Sequence, residues 1–437
     1  MAKNTDIALR NQIIYSVYVR NHTPEGTFRA LIPDLPRIRA LGTDIVWLMP
    51  IHPIGVKGKK GSLGCPYANR DYRTVNPEYG TLDDFKALMD AVHAQGMKCI
   101  IDVVYNHTSP DAVLTEEHPE FYYRKPDGRM GNKTAEWTDV VDLDYRVPEL
   151  WDYQIETLRM WAGIVDGFRC DVASCVPAEF WKRARASVEE VRPGCIWLGE
   201  TVHTTFNERN RVLGQYAGTD AEMYEAFDIE YDYDIREGFD RYVAGRAPLS
   251  LWLDLLNHQE VAYPDNYIKL RCLENHDRPR AKSLFPEELA LENATAMLFF
   301  LKGTTMLYAG QEFECETVPS LFERDVFSRT GKDISGYLAA MAALKKQYLS
   351  AGDYFFASAD DANNIACILR DDGKSGKLGI FSLSGKSAEV HAVYPNGETM
   401  AIPDGEYRNL IDGKPVTVRN STLFCEGKPI ILVLDGQ

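Results

Sequence analysis

A chain of 437 residues, 45% hydrophobic and 26% charged, has the balance of a soluble globular enzyme and the length for one large domain plus a smaller one. Its net charge of -16 and pI of about 5.1 speak against nucleic acid and anionic membranes as partners and leave a neutral ligand as the expectation. No apolar run approaches the roughly 20 residues that cross a bilayer. The opening stretch MAKNTDIALRNQ lacks the apolar core of a signal peptide, so a cytoplasmic protein is expected. The nine cysteines form no CxxC pair and several sit in apolar runs, as reduced thiols in a reducing compartment do.

In chain order, eight short apolar runs predict strands at 13–19, 44–50, 98–105, 165–172, 195–200, 226–233, 267–275 and 304–310. Most are continuous rather than alternating, the pattern of strands buried on both faces. Helical patterns fall between them. TLDDFKALMDAVHAQG opens on Thr81 with Asp84 three residues on, then places Phe85, Leu88, Met89 and Val92 on one face. PAEFWKRARASVEEVRPG, YQIETLRMWAG and ENATAMLFFLKG follow the same logic. Strands alternating with helices predict an α/β fold, a (β/α)8 TIM barrel. Residues 107–146 exceed what a loop and helix need, so they read as a subdomain inserted after strand 3. After about residue 350 the pattern changes to short alternating runs with Asn396-Gly397, Asp412-Gly413 and Asp435-Gly436 as turn signals. The predicted organisation is a barrel over 1–106 and 147–350, an insert over 107–146 and a C-terminal β-sandwich domain over 351–437.

Function in such a barrel sits at the C-terminal ends of the strands. There the sequence places Asp102, Asn106 and His107 after strand 3, Arg169 and Asp171 after strand 4, Glu200 after strand 5, and Glu274, Asn275, His276 and Asp277 after strand 7. Any one of these has an ordinary structural explanation as a cap, a turn former or a satisfied buried group. Together, at one mouth, they suggest glycoside hydrolysis by two carboxylates in different surroundings. Asp171 is two positions from Arg169 on the same side of a strand, and a cation that close is expected to lower its pKa, as suits a nucleophile. Glu200 ends an apolar run with Trp197 and Leu198, a setting that suits a general acid. Asp277 can stabilise a positively charged sugar-like transition state. His107 and His276 can donate to sugar hydroxyls, and Tyr67 and Trp137 offer flat faces to sugar rings or to the core. A metal-dependent hydrolase built on His107, His203 and His276 is a rival reading, as is an inactive binding or scaffold protein.

Four segments carry a resemblance: DVVYNH (102–107), GFRCDV (167–172), GE after an apolar strand (199–200) and NHD (275–277), with YANRDYRTVNPEYGTLDDF (67–85) and YAGQE (308–312) beside them. The chain resembles the α-amylase family of glycoside hydrolases along its whole length. The resemblance implies Asp171 as nucleophile, Glu200 as acid/base and Asp277 as transition-state stabiliser. It implies Tyr67, Asp102, His107, Arg169 and His276 around the sugar at the cleavage point. The expected activity is retaining cleavage of α-1,4-glucosidic bonds in maltooligosaccharides or starch fragments, within the chain, with α-glucosidase or 4-α-glucanotransferase activity as alternatives on the same machinery. Ser174 and Cys175 stand where many family members have Lys-His, and Val141 where proline is common. Asn106 occupies a family calcium position; no cofactor is expected to be required, and structural calcium is left open.

Overall fold

The computed structural model describes residues 4–134, 137–391 and 402–435. Eight strands close into a parallel barrel: β1 (Ile13–Val17), β2 (Ile45–Leu48), β3 (Lys98–Val103), β4 (Gly167–Cys170), β5 (Ile196–Gly199), β6 (Ile229–Tyr231), β7 (Lys269–Arg271) and β8 (Thr304–Tyr308). They follow one another around the barrel in chain order, and β8 closes on β1. Every predicted strand run holds one of them. Their continuous apolar character matches their burial: all of β1, β2, β4, β5 and β8 is inaccessible.

Helices cover the outside. The helix Leu82–Ala94 begins with the predicted Thr81–Asp84 capping box and buries Phe85, Leu88, Met89 and Val92. Further helices over Pro148–Ala162, Ala178–Glu189 and Glu288–Phe300 occupy the other predicted stretches. Close strand approach sets one glycine: a side chain at Gly167 would come within 2.3 Å of the Ile196 carbonyl oxygen on β5.

Between β3 and β4 the chain leaves the barrel at His107–Thr108 and returns at Val141–Asp142, and these two short strands pair antiparallel. Beyond the barrel lies an antiparallel sheet of β9 (Tyr354–Asp360), β10 (Ile365–Asp371), β11 (Ser375–Ser382) and β12 (Ile430–Asp435) in that order. One face carries Ala366, Ile368 and Phe381 into the barrel's core; the other packs Cys367, Leu378 and Ile380 against Val390, Val418 and Leu423 from two outer two-stranded sheets. The result is the predicted C-terminal antiparallel β-domain. The sequence reading missed β9 and β10. Gly413 turns the hairpin of Gly405–Arg408 with Pro415–Val418, whereas Asn396-Gly397 and Gly436 lie outside the described residues. Among the described residues no helix is long and apolar enough to cross a membrane.

Candidate active site

Register builds the centre of the site. Asp102 on β3 pairs with Arg169 on β4, so the two side chains leave neighbouring strands side by side. Both are fully buried. Arg169 Nη1 donates to Asp102 Oδ1 at 2.9 Å and to Asp171 Oδ1 at 2.9 Å. Its Nη2 forms an ion pair with Glu200 Oε2 at 2.9 Å, off the line of a hydrogen bond. One guanidinium therefore serves three carboxylates. Trp47, Tyr67 and Tyr231 surround it, their ring centroids 5.1, 5.7 and 5.3 Å from its carbon. The same-side argument from residues 169 and 171 holds, and the ion pair is real.

The electrostatic expectation for Asp171 does not hold. Burial pushes its carboxyl well above the usual carboxylate range; Arg169 pulls it down, and Glu200 and Asp102 push it up again. Burial likewise raises Asp102, to about 6, against the pull of Arg169. The physical reason is stoichiometric. A single cation cannot fully compensate three desolvated carboxylates, so burial outweighs its pull at both Asp102 and Asp171.

The other predicted residues gather around this centre. Tyr67 OH donates to Asp102 Oδ2 at 3.1 Å and lies 2.8 Å from His276 Nε2, whose ring is nearly parallel to its own. His276 Nε2 also meets Asp277 Oδ2 at 3.0 Å. Asp277 is half exposed; burial raises its pKa, but His276 and Arg169 hold it at about 2. His107 is buried, and desolvation lowers it to about 4, so it is neutral at physiological pH. The Asn106 amide nitrogen donates to its Nδ1 at 3.2 Å, which leaves Nε2 as the protonated nitrogen. Trp137 packs against the His107 ring with centroids 5.2 Å apart. All eight predicted site residues thus converge, and a cleft of about 360 Å³ opens onto Tyr67, His107, Asp171, Glu200 and Asp277.

Sequence reasoning missed the backbone at Val172. This β-branched residue has φ 36° and ψ 45°, in the left-handed region that such residues avoid. The strain aims its N–H at Glu200 Oε2, 2.9 Å away. Only the turn after Asp171 shows this; no residue type signals it. Trp47 and Tyr231 were also missed, since their runs read as core and their contact with Arg169 is tertiary.

His203 does not join His107 and His276; it stacks on Tyr233 at 4.6 Å. Among the described residues no group of three or more His, Cys, Asp or Glu is placed to hold a metal. Calcium wants six to eight oxygens. At Asn106 the backbone carbonyl accepts from Leu143 N and the amide nitrogen faces His107. The neighbouring Asp142 offers one buried, unpartnered oxygen, Oδ1, while its Oδ2 accepts from Lys133 N at 2.7 Å.

A parallel barrel carrying paired carboxylates at its C-terminal mouth is the architecture of a glycoside hydrolase. The family model described as alpha amylase, catalytic domain, matches residues 8–139 and 132–349, and that of the bacterial alpha amylase C-terminal domain matches 356–432. The chain belongs to the α-amylase family of glycoside hydrolases. It is 41% identical to an alpha-amylase from Lactobacillus plantarum of known crystal structure, with a TM-score of 0.92 over 98% of this chain and 100% of that one. It is 32% identical to the noncanonic maltogenic alpha-amylase AmyB of Thermotoga neapolitana, with a TM-score of 0.86 over the same shares. It is also 37% identical, over 196 residues, to an alpha-1,4-glucan:maltose-1-phosphate maltosyltransferase of Rhodospirillum rubrum. That match covers 40% of this chain and 28% of the relative, so the chain spans under a third of the length of that curated relative.

Proposed function

We propose that the protein is a retaining hydrolase of α-1,4-glucosidic bonds in maltooligosaccharides or starch fragments. The observation that carries this reading is the sharing of Arg169 by Asp102, Asp171 and Glu200 at the floor of the cleft. Asp171 attacks the anomeric carbon and forms the glycosyl-enzyme bond. Glu200 gives its proton to the departing oxygen, then takes one from water in the second step. The positive charge developing on the sugar favours an ionised Asp171 at the moment of attack. Asp277, held ionised by His276, faces the same charge. Tyr67, Asp102, His107, Arg169 and His276 surround the sugar, with His107 Nε2–H as a donor to a hydroxyl.

Proton NMR of the first products is expected to show the α-anomer before mutarotation, and a liganded crystal structure to place the Asp171 and Glu200 carboxyls about 5–5.5 Å apart. First-formed β-anomer sinks the retaining mechanism. Glucan transfer is a second reading, favoured by the maltosyltransferase match; products longer than the substrate at high oligosaccharide concentration would identify it.

We also assign no resident cofactor. Hydrolysis is expected to survive prolonged chelation with unchanged rate, and a complete, calcium-reversible loss in EDTA would refute that assignment. The barrel, insert and β-domain divide as 1–106 with 147–350, 107–146 and 351–437. The nine cysteines are all unpaired and most are buried, which supports a reducing compartment and a cytoplasmic location.

A further inference from the structure

The two ends of the cleft are built differently. Glu200 stands after β5, so the leaving part of a substrate departs past β5. The retained part runs the opposite way, toward the loops after β8, β1 and β2, since β1 lies across the barrel from β5. On the leaving side the half-buried Trp137 and Phe206 lie with near-parallel rings 6.1 Å apart, a flat, open approach.

The retained side is walled. Leu63 N donates to the Phe322 carbonyl at 3.0 Å, and Ser62 N to Glu323 Oε1 at 2.7 Å, so the loop after β2 is bonded directly to the loop after β8. No gap separates them: a side chain at Gly61, where φ is +62°, would stand 2.6 Å from Phe322 Cβ. Beneath the seam the buried Arg20 Nη1 donates to both the Gly64 and the Leu321 carbonyls, at 3.1 and 3.2 Å, while Glu78 pairs with the same guanidinium at 2.8 Å. At the other end of the β2 loop, Lys60 pairs with Asp139 of the segment after β3 at 3.0 Å. Leu321, Phe322 and Lys60 line the cleft that opens onto Asp171 and Glu200.

We infer that this seam, with Leu321 and Phe322 at its face, closes the retained-sugar side of the cleft and makes the enzyme release a short, fixed unit from the non-reducing end of the glucan. The inference rests on the hydrolytic reading above and replaces the sequence-based expectation of cleavage within the chain. Leu321 and Phe322 are specificity-determining residues in this scheme. They block longer chains sterically and touch no reacting atom.

Maltoheptaose labelled at its reducing end separates the outcomes. The expected course is a ladder of labelled products that shortens from one end by a constant step, with unlabelled glucose or maltose as the released species. A maltoheptaoside whose terminal non-reducing hydroxyls are blocked should be nearly inert. The Phe322→Ala, Glu323→Ala double variant should cleave the blocked substrate faster than the wild type by on the order of 10- to 100-fold, the range a steric pocket contact commands. Labelled fragments of all lengths in the first time points, or ready cleavage of the blocked substrate by the wild type, would overturn the inference and leave the hydrolytic reading standing. Failure to cleave any α-1,4-glucan would remove that reading and the inference with it. The wild-type time course carries the test even if the double variant does not fold.

Discussion

Replacing Asp171 by asparagine is expected to lower turnover by on the order of 10⁴-fold or more while the protein stays folded. The amide keeps the shape of the side chain and the contact with Arg169 but cannot form the covalent bond. The stability effect should be neutral or favourable. Asp171 is a carboxyl that burial and two neighbouring carboxylates push upward, so its ionisation opposes the fold at neutral pH. Arg169 retains Asp102 and Glu200 as partners. Steady-state kinetics on maltooligosaccharides and thermal unfolding of the same preparation check both halves. Near-normal turnover in the variant excludes Asp171 as nucleophile.

The second large effect is on the cation. Arg169→Met removes the guanidinium that pairs with three buried carboxylates and should cost about 3–5 kcal/mol at neutral pH, together with all measurable activity. The loss should depend on pH in a definite direction. Asp102 stands at about 6 and Asp171 above its ordinary value even with Arg169 in place. An acid whose folded pKa exceeds its unfolded value of about 3.9 contributes stability below that value and loses it as pH rises through the folded pKa. Removing the guanidinium raises the folded values further. The variant's deficit against the wild type should therefore be smallest near pH 5 and grow to its maximum above about pH 7. Denaturant unfolding at a series of pH values measures it, and a deficit that is flat or shrinks with rising pH contradicts the shared-cation picture.

The sequence made the barrel legible because strands buried on both faces cannot hide: runs such as KCIIDVV and GCIWLG have no polar face to confuse with a loop. The mouth was legible for a related reason. Asp102, Arg169, Asp171 and Glu200 interrupt or end apolar runs where an unpaired charge would be costly, so their types stand out. What stayed hidden depends on who else arrives. Residue spacing paired Asp171 with Arg169 correctly, but it could not count the other two carboxylates at the same guanidinium, and the direction of the pKa shift reversed. Val172 carries no mark in its residue type of its left-handed backbone. Strands β9 and β10 stayed hidden although their connections, at 361–364 and 372–374, carry the turn residues Asn-Asn and Asp-Gly.

The pairing of His107–Thr108 with Val141–Asp142 ties the segment between β3 and β4 at its neck. Once the neck is tied, lengthening or shortening what lies beyond it changes the closure entropy by only about 0.6 kcal/mol per doubling. Length can change at small cost at the far end, around the tight turn that joins Arg124 to Met130. The neck has no such freedom, because one of the four residues that tie it is His107, the proposed donor to a sugar hydroxyl. A change of size in this segment can thus pass unnoticed by the barrel, whereas a one-residue slip in the neck would turn His107 away from the cleft it lines.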